Sequence, residues 1–126
     1  MIKMIQLVYK NPQTTDAEFS KNWIEIHGPW AAKNLIVDRY VQNHVIKLPG
    51  PPMPGEADLI LPSGIVEYYF YDPEVEKSIR STGMLPRNPN AKPQPPEIAA
   101  DGARHVDRTK GMHLWVEEYI MKDYKI

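Results

Sequence analysis

Proline is concentrated in two stretches of this 126-residue chain, and their positions decide where strands and helices can form. Residues 49–64 hold five of the thirteen prolines, and residues 86–96 hold another five. Because proline lacks the backbone N–H that a sheet ladder requires, neither stretch can be a central strand. We interpret both as long, stiff surface loops, the second covering residues 83–96. The regular elements must therefore lie outside them.

The segments outside these loops alternate between strand-like and helix-like patterns. The predicted strands cover residues 1–10, 37–48, 65–72 and 111–121, which are rich in β-branched and aromatic residues. The predicted helices cover residues 15–27 and 73–81, and residues 97–107 form a further short helical piece. The order β-α-β-β-α-β predicts an α+β fold, a ferredoxin-like sandwich with both helices on one face of the sheet. A chain of this length fits a single domain, residues 1–126.

The first helix contains an interruption directly after a histidine. Thr15 and Glu18 match a capping box, which begins the helix. Four large apolar residues at helical spacing predict its buried face: Phe19, Trp23, Ile26 and Trp30. A glycine and a proline then follow His27, and a proline inside a helix costs about 3 kcal/mol. We therefore expect the helix to bend at Gly28–Pro29 and to resume through residues 30–35, which lets His27 face a cavity rather than the core.

The predicted sheet has one face that its helices cannot cover. That face carries tyrosine, tryptophan and other large side chains, which are unfavourable in water. The usual solution is an isologous dimer in which two such sheets close face to face. The sequence therefore predicts a homodimer, with a ligand cavity in place of an exposed sheet.

Two motifs in this chain resemble those of a known family. The stretch NWIEIHGPWAAKN precedes RYVQNHVI, and the elements that carry the resemblance are Trp23, His27, Gly28, Pro29, Tyr40 and His44. Together they resemble the EthD family of dimeric α/β-barrel proteins, whose pattern is a Trp-x-x-x-His-Gly-Pro helix leading into a Tyr-x-x-x-His strand. The stretch DGARHVD at residues 101–107 is also similar to the second-helix segment of that family.

The resemblance implies a ferredoxin-like protomer, a dimeric α/β barrel and a pocket between the sheet and the helices. Members of this family are linked to ether degradation, and related sequences act as dehydratases or decarboxylases in fungal polyketide pathways. The wider superfamily includes lactone isomerases, polyketide cyclases and cofactor-free monooxygenases. The two proline-rich loops are longer than expected for compact members, so the pocket mouth and the substrate are expected to differ.

His27 and His44 are the candidate catalytic residues, because an imidazole gains or loses a proton near neutral pH. His27 could equally be an ordinary cap or core histidine at a helix end. His44 shares one face of its strand with Tyr40 and Gln42, a polar row that requires a ligand, water or a dimer partner. If one histidine removes a proton beside a carbonyl and the other protonates a departing hydroxyl, the pair supports dehydration, isomerisation or cyclisation without a cofactor.

Aromatic and polar side chains near these histidines are the candidate substrate-binding residues. They are Tyr40, Gln42, Trp23, Trp30, Tyr69 and Trp115. Core packing is the alternative role for most of the aromatic ones. Glu117 and Glu118 are adjacent in the last predicted strand, so alternation turns one of them inward, and the sequence leaves open which one.

Composition excludes several other classes of function. The formal net charge of −1 and the absence of a basic run argue against a nucleic-acid or anionic-membrane partner. The chain has no cysteine, which excludes disulfides, thiolate nucleophiles and zinc–sulfur sites. No H-x-H or H-E-x-x-H spacing indicates a metal site. Residues 1–10 are too short and too polar for a signal peptide, so we predict a cytoplasmic protein without metal or cofactor.

These observations lead to three functional hypotheses. The first is a cofactor-independent lyase or isomerase, dehydratase- or cyclase-like, that acts on a hydrophobic, oxygenated cyclic or aromatic metabolite. The second is a non-catalytic binding or accessory protein that carries such a molecule in a degradation or biosynthetic pathway. The third is a cofactor-free monooxygenase.

Overall fold

The computed structural model describes residues 1–124, and its elements follow the predicted order. The strands are β1 (Ile2–Val8), β2 (Arg39–His44), β3 (Gly64–Phe70) and β4 (Met112–Val116). The helical segments are α1 (Asp16–Asn22), a π-helical turn (Trp23–His27), α2 (Gly28–Asn34), α3 (Pro73–Thr82) and α4 (Pro96–His105). No helix among the described residues is long and apolar enough to cross a membrane.

The strands form one sheet in the order β2-β3-β1-β4, and all neighbours are antiparallel. This arrangement is compatible with a ferredoxin-like fold, and the predicted α+β class is confirmed. β1 pairs with β4 from Lys3–Val116 to Leu7–Met112. Residues 117–121 therefore lie beyond the sheet, although the sequence pattern assigned them to the last strand.

The hydrophobic core lies on one face of the sheet. β1 contributes Ile2 and Met4, and β3 contributes alternate residues from Val66 to Phe70. The helical segments add three buried apolar side chains to this cluster, which are Phe19, Trp23 and Ile79. The opposite face carries half-buried and exposed apolar residues, which are Ile5, Leu7, Val41, Ile65, Met112 and Leu114. One face is therefore covered by this chain itself and the other is not.

The first helical region does not bend at Gly28–Pro29 as predicted. The chain stays helical through both residues, and the departure from α-helical geometry lies one turn earlier, over Trp23–His27. In this π-helical turn, the Gly28 N–H donates to the Trp23 carbonyl five residues back. Pro29 comes next within the same continuous helical stretch, where its missing N–H removes one intrahelical hydrogen bond to the preceding turn.

The π-helical turn changes which side chains face the sheet. A wider turn rotates later residues relative to earlier ones, and π-bulges are frequent at functional sites. Ile26 is 41% exposed, so its predicted place on the buried face was wrong. His27, one residue later, is turned inward to line the cavity beside Trp23.

Glycines on both sides of Trp23 allow this packing. A β-carbon on Gly28 would lie 2.6 Å from Gln42 Nε2 and 2.8 Å from the Trp23 carbonyl oxygen. A β-carbon on Gly64, at the start of β3, would lie 2.3 Å from the Trp23 ring. The glycine of the His-Gly-Pro motif is therefore explained by the close approach of the helix to β2.

The two proline-rich segments contain no strand or helix over residues 49–63 and 84–95. The loop predictions are confirmed, apart from their last residues, since β3 begins at Gly64 and α4 at Pro96. Most side chains of both loops are exposed. The first loop exposes several large apolar side chains, which are Met53, Leu59, Ile60 and Leu61.

Substitution of Gly28 by alanine tests the close approach of the π-helical turn to β2. We expect Gly28→Ala to lower the free energy of unfolding by about 1–3 kcal/mol, because the added methyl overlaps a backbone oxygen that cannot move aside. Urea denaturation monitored by circular dichroism measures the change.

Gly102→Ala is the matched control within α4. Its added β-carbon meets only Arg108 Nη2, at 3.4 Å. We expect this substitution to be neutral or to stabilise the fold by about 0.5–1 kcal/mol, as for glycine to alanine inside a helix. Equal effects of the two substitutions would contradict the proposed role of Gly28.

Candidate functional site

A cavity lies between the core face of the sheet and the helical segments. It consists of two hollows of about 460 and 390 Å³, a size that suits a small organic molecule. Both hollows are lined by Gln6, His27, Tyr68 and His113. His27 therefore stands at the point where the two hollows meet.

The His27 imidazole is one of two imidazoles that line both hollows of this cavity, and His113 is the other. His27 is half-buried, and its ring lies 6.5 Å from the Trp30 ring, centre to centre. No side-chain hydrogen bond joins it to any other residue in the range 1–124. Burial lowers the pKa of His27 below its ordinary value, and the positive charge of Arg108 lowers it further. His27 is thus a neutral base without a protein partner at neutral pH.

Two phenols line the larger hollow beside His27. Tyr40 and Tyr68 pack with ring centres 5.3 Å apart. Burial raises the pKa of Tyr40, against the opposing effect of hydrogen bonds from Gln42 and Trp23. Burial also raises the pKa of Tyr68, and the neighbouring Tyr40 adds to the shift. Both groups therefore remain protonated and can donate a hydrogen bond to a ligand oxygen.

A hydrogen-bonded network behind Tyr40 connects β2 to the helix. Gln42 Nε2 donates to the Trp23 carbonyl and to the Tyr40 hydroxyl, at 3.0 Å each. His44 Nε2 lies 3.0 Å from Gln42 Oε1, and His44 Nδ1 lies 2.8 Å from Ser20 Oγ. The predicted shared face of Tyr40, Gln42 and His44 is confirmed by these bonds.

His44 does not line either hollow of the cavity. Its ring packs against Trp23, with ring centres 4.7 Å apart, and both ring nitrogens have protein partners. Burial lowers the pKa of His44. The structure therefore does not bring His27 and His44 together at one cavity, although both are linked to Trp23.

The other predicted binding residues divide between the two faces of the sheet. Trp23 and Tyr40 line the larger hollow, and Trp30 and Trp115 line the smaller one. Gln42 lines neither hollow and instead holds Tyr40 in place. The Tyr69 side chain lies on the opposite face, where the guanidinium of Arg39 lies 4.9 Å from its ring centre.

Neither glutamate of the pair after β4 lines the cavity. Glu118 Oε2 lies 2.8 Å from Lys3 Nζ, on the sheet face opposite the core. Glu117 Oε1 lies 2.9 Å from Arg80 of α3. Both carboxylates are therefore neutralised by cations outside the cavity.

Sequence reasoning missed several polar cavity residues, among which are Gln6, Arg108, Lys110 and His113. Two of them follow from strand alternation. His113 lies two residues before Trp115 in β4, and Gln6 pairs with His113 in the adjacent strand. No local pattern identifies Arg108, because its position depends on how the turn between α4 and β4 packs.

No protein-family model matches this chain, and no curated protein matches it significantly. The resemblance to the EthD family therefore depends on the quoted motifs and stays a prediction.

The arrangement combines a neutral imidazole, two phenolic donors and a guanidinium around one cavity. Such a set can remove a proton from carbon and hold the negative charge that develops on a carbonyl oxygen. Within residues 1–124, no group of three or more His, Cys, Asp or Glu side chains is placed to hold a metal ion.

The protonation of His27 can be measured directly by NMR. We expect its imidazole signal to titrate with a midpoint below about 6.5, because burial and Arg108 disfavour the imidazolium. Assignment comes from the signal that disappears in His27→Gln. A midpoint at or above the ordinary value would show that the imidazole does not lie in the environment described.

The His27 pKa also links stability to pH. Because the pKa of His27 is lower in the folded state, the unfolded chain takes up this proton more readily. The contribution of His27 to the free energy of unfolding is therefore fully present above about pH 6.5 and is lost progressively as the pH falls towards the folded-state pKa. We expect the free energy of unfolding to decline less between pH 7 and pH 5 in His27→Gln than in the unmodified protein. Urea titrations at several pH values measure the difference, and parallel declines would contradict this link.

Proposed function

We propose that this protein is a cofactor-independent lyase or isomerase that acts on a hydrophobic, oxygenated cyclic or aromatic molecule. The observation that supports this proposal is the His27 imidazole, which faces the cavity without a protein hydrogen-bond partner among residues 1–124. A base in this state is available to a ligand at neutral pH.

In the proposed reaction, His27 accepts a proton from the carbon next to a carbonyl group. The electron pair of that C–H bond forms a C=C bond, and the carbonyl oxygen becomes an enolate oxygen. Tyr40 donates a hydrogen bond to this oxygen and stabilises its charge. If a hydroxyl group stands on the next carbon, the enolate expels it, and the His27 imidazolium supplies the proton that releases water. If there is no leaving group and the enolate is conjugated with a second C=C bond, the His27 imidazolium returns the proton to the far carbon of that bond, and the product is a double-bond isomer.

His44 has a positioning role in this proposal. It holds Gln42 Oε1, and Gln42 in turn holds the Trp23 carbonyl and the Tyr40 hydroxyl. Loss of His44 should therefore weaken the placement of Tyr40 without removing the base. The hypothesis that both histidines react with the substrate stays a prediction. The variants described below distinguish it from a positioning role of His44.

The proposed assembly is a homodimer in which two uncovered sheet faces meet, forming the α/β barrel that the resemblance implies. That face carries apolar residues on all the strands from β2 at one edge of the sheet to β4 at the other. It also carries a group of charged residues. Lys3 Nζ lies 2.9 Å from Glu67 and 2.8 Å from Glu118, so the face contains both signs of charge. A surface of this kind can be complementary to itself, as an isologous contact requires.

Exchange of carbon-bound hydrogen provides a test that does not require the natural substrate. We expect the protein to accelerate the exchange of the α-protons of 1-tetralone in D₂O, observed by NMR. His27→Gln should slow this exchange by about 100-fold or more, since a general base typically contributes that much. The rate should increase with pH through a midpoint below about 6.5, as His27 loses its proton.

His44→Gln separates the two histidines. We expect it to reduce exchange by a smaller factor and to leave the midpoint of the pH profile unchanged. Exchange that persists in His27→Gln would contradict the proposal. Binding of 1-tetralone without exchange in the unmodified protein would overturn it in favour of a non-catalytic carrier.

The proposed dimer can be tested by sedimentation velocity. Leu114 is 45% exposed on the uncovered face, and Leu59 is 62% exposed on the first proline-rich loop. We expect Leu114→Lys to raise the dimer Kd by about tenfold or more, as for a central interface residue, and Leu59→Lys to leave it unchanged. A monomer at micromolar concentration in the unmodified protein would contradict the dimer.

A further inference from the structure

The larger hollow is lined by two cations that form no ion pair with any acid among residues 1–124. Arg108 and Lys110 line the larger hollow, and neither has a carboxylate within 4.0 Å among residues 1–124. Both hollows together are lined by no aspartate or glutamate of that range. Since the chain as a whole has a formal net charge of −1, the cavity is a local exception to its charge balance.

The turn that presents these cations is fixed in place. The Asp107 N–H donates to the Tyr9 carbonyl at 2.8 Å, next to the bridge between Lys10 and Val106. The Asp107 carboxylate accepts hydrogen bonds from the Thr109 N–H at 3.0 Å and from Thr109 Oγ1 at 2.6 Å. These bonds keep the Asp107 carboxylate ionised and orient it within the turn, where it lies in the field of Lys110 and forms no ion pair with Arg108.

Glycine closes the turn against β1. Gly111 has φ of 136°, a conformation that other residues rarely adopt, and a β-carbon there would lie 3.3 Å from the Leu7 carbonyl oxygen. The cations are thus carried by a short segment that is attached at one end to Tyr9 and Lys10, just after β1, and at the other end to Leu7 of β1.

Arg108 is the cation that belongs to this cavity. Its Nη2 lies 3.4 Å from the position of a β-carbon on Gly102, and Gly102 itself lines the larger hollow. Its charge reaches His27 strongly enough to oppose the imidazolium. Lys110 also lines a separate hollow of about 200 Å³ beneath residues 60–63, so it is shared between two sites.

The remaining walls of the larger hollow are mostly apolar or aromatic. They include Phe19, Trp23, Val66 and the rings of Tyr40 and Tyr68. A ligand that fits both the walls and the rim has a ring system at one end and a negative charge at the other. Guanidinium groups match the planar geometry of a carboxylate with two parallel hydrogen bonds.

We propose that the ligand of this cavity is a carboxylic acid with a cyclic or aromatic body, whose carboxylate binds at Arg108 while its ring lies against the wall formed by Trp23 and the two tyrosines. The inference rests on the proposed function for the choice of cavity. It adds that the substrate carries a negative charge. It also predicts a consequence for the base, because a bound anion beside Arg108 raises the pKa of His27.

Paired acids and amides test this inference by calorimetry, independently of any reaction. The probes are 2-naphthoate with 2-naphthamide, and benzoate with benzamide, which differ within each pair by the charge. We expect each acid to bind about tenfold more tightly than its amide, as for a charge-assisted pair. Arg108→Gln should reduce this ratio to about one, because it removes the charge and keeps most of the side-chain length.

Arg104→Gln is the matched control, since Arg104 lies in the last turn of α4, four residues before Arg108, and does not line the cavity. It should leave the acid-to-amide ratio unchanged. In addition, saturating 2-naphthoate should shift the NMR titration midpoint of His27 upward, and 2-naphthamide should not. This second readout places the bound charge near the base.

Three outcomes would overturn the inference: amides that bind as tightly as acids, an unchanged ratio in Arg108→Gln, or no measurable binding of either acid. These results are separable from failure of the proposed function. Selective acid binding at Arg108 without any His27-dependent exchange of 1-tetralone would overturn the reaction but support the ligand class. Exchange of 1-tetralone that depends on His27, without tighter binding of acids than of amides, would support the reaction and overturn the ligand class.

Discussion

The backbone carbonyl of Trp23 is the junction on which the rest of the site depends. It accepts the Gly28 N–H from within the π-helical turn and Gln42 Nε2 from β2. The first bond widens the helix and turns His27 towards the cavity, and the second fixes the distance between helix and sheet. Because both donors converge on one oxygen, the wide turn and the docking of β2 depend on each other. The absence of a side chain on Gly28 is what permits them to meet there.

Much of the fold could be predicted from the sequence, because it depends on local signals. Proline content located both loops, and the alternation of Tyr40, Gln42 and His44 gave the correct face of β2. The response of the helix to Pro29 was not predictable in the same way. A proline can be accommodated by a bend or by a wider turn upstream, and the wider turn found here carries a contact between the Trp23 carbonyl and Gln42, which is distant in sequence. The error at Ile26 follows directly from that wider turn.

The candidate site was predictable only where side chains are placed by the regular elements. Trp23, Tyr40 and Trp115 line the cavity as expected, since each lies on the core-facing side of a strand or helix. Tyr69 is on the other side of the sheet because it pairs with Lys3 and Arg39, which face away from the core. Arg108 escaped prediction because its turn is positioned by backbone bonds to Tyr9, and such bonds leave no pattern in the sequence.

The polar network behind Tyr40 has a consequence for what the cavity can recognise. A carbonyl oxygen only accepts, so the contact with Trp23 fixes which end of the Gln42 amide carries its hydrogens. His44 Nε2 must then donate to Gln42 Oε1, and Ser20 donates to Nδ1 of the neutral ring. The hydrogen bonds from Ser20 through His44 and Gln42 to Tyr40 thus all donate in the same direction, and each one strengthens the next. The series ends at the Tyr40 hydroxyl, which is polarised to donate its hydrogen. Ligand groups that accept a hydrogen bond, such as ketones and esters, are therefore favoured there, and ammonium groups, which only donate, are not.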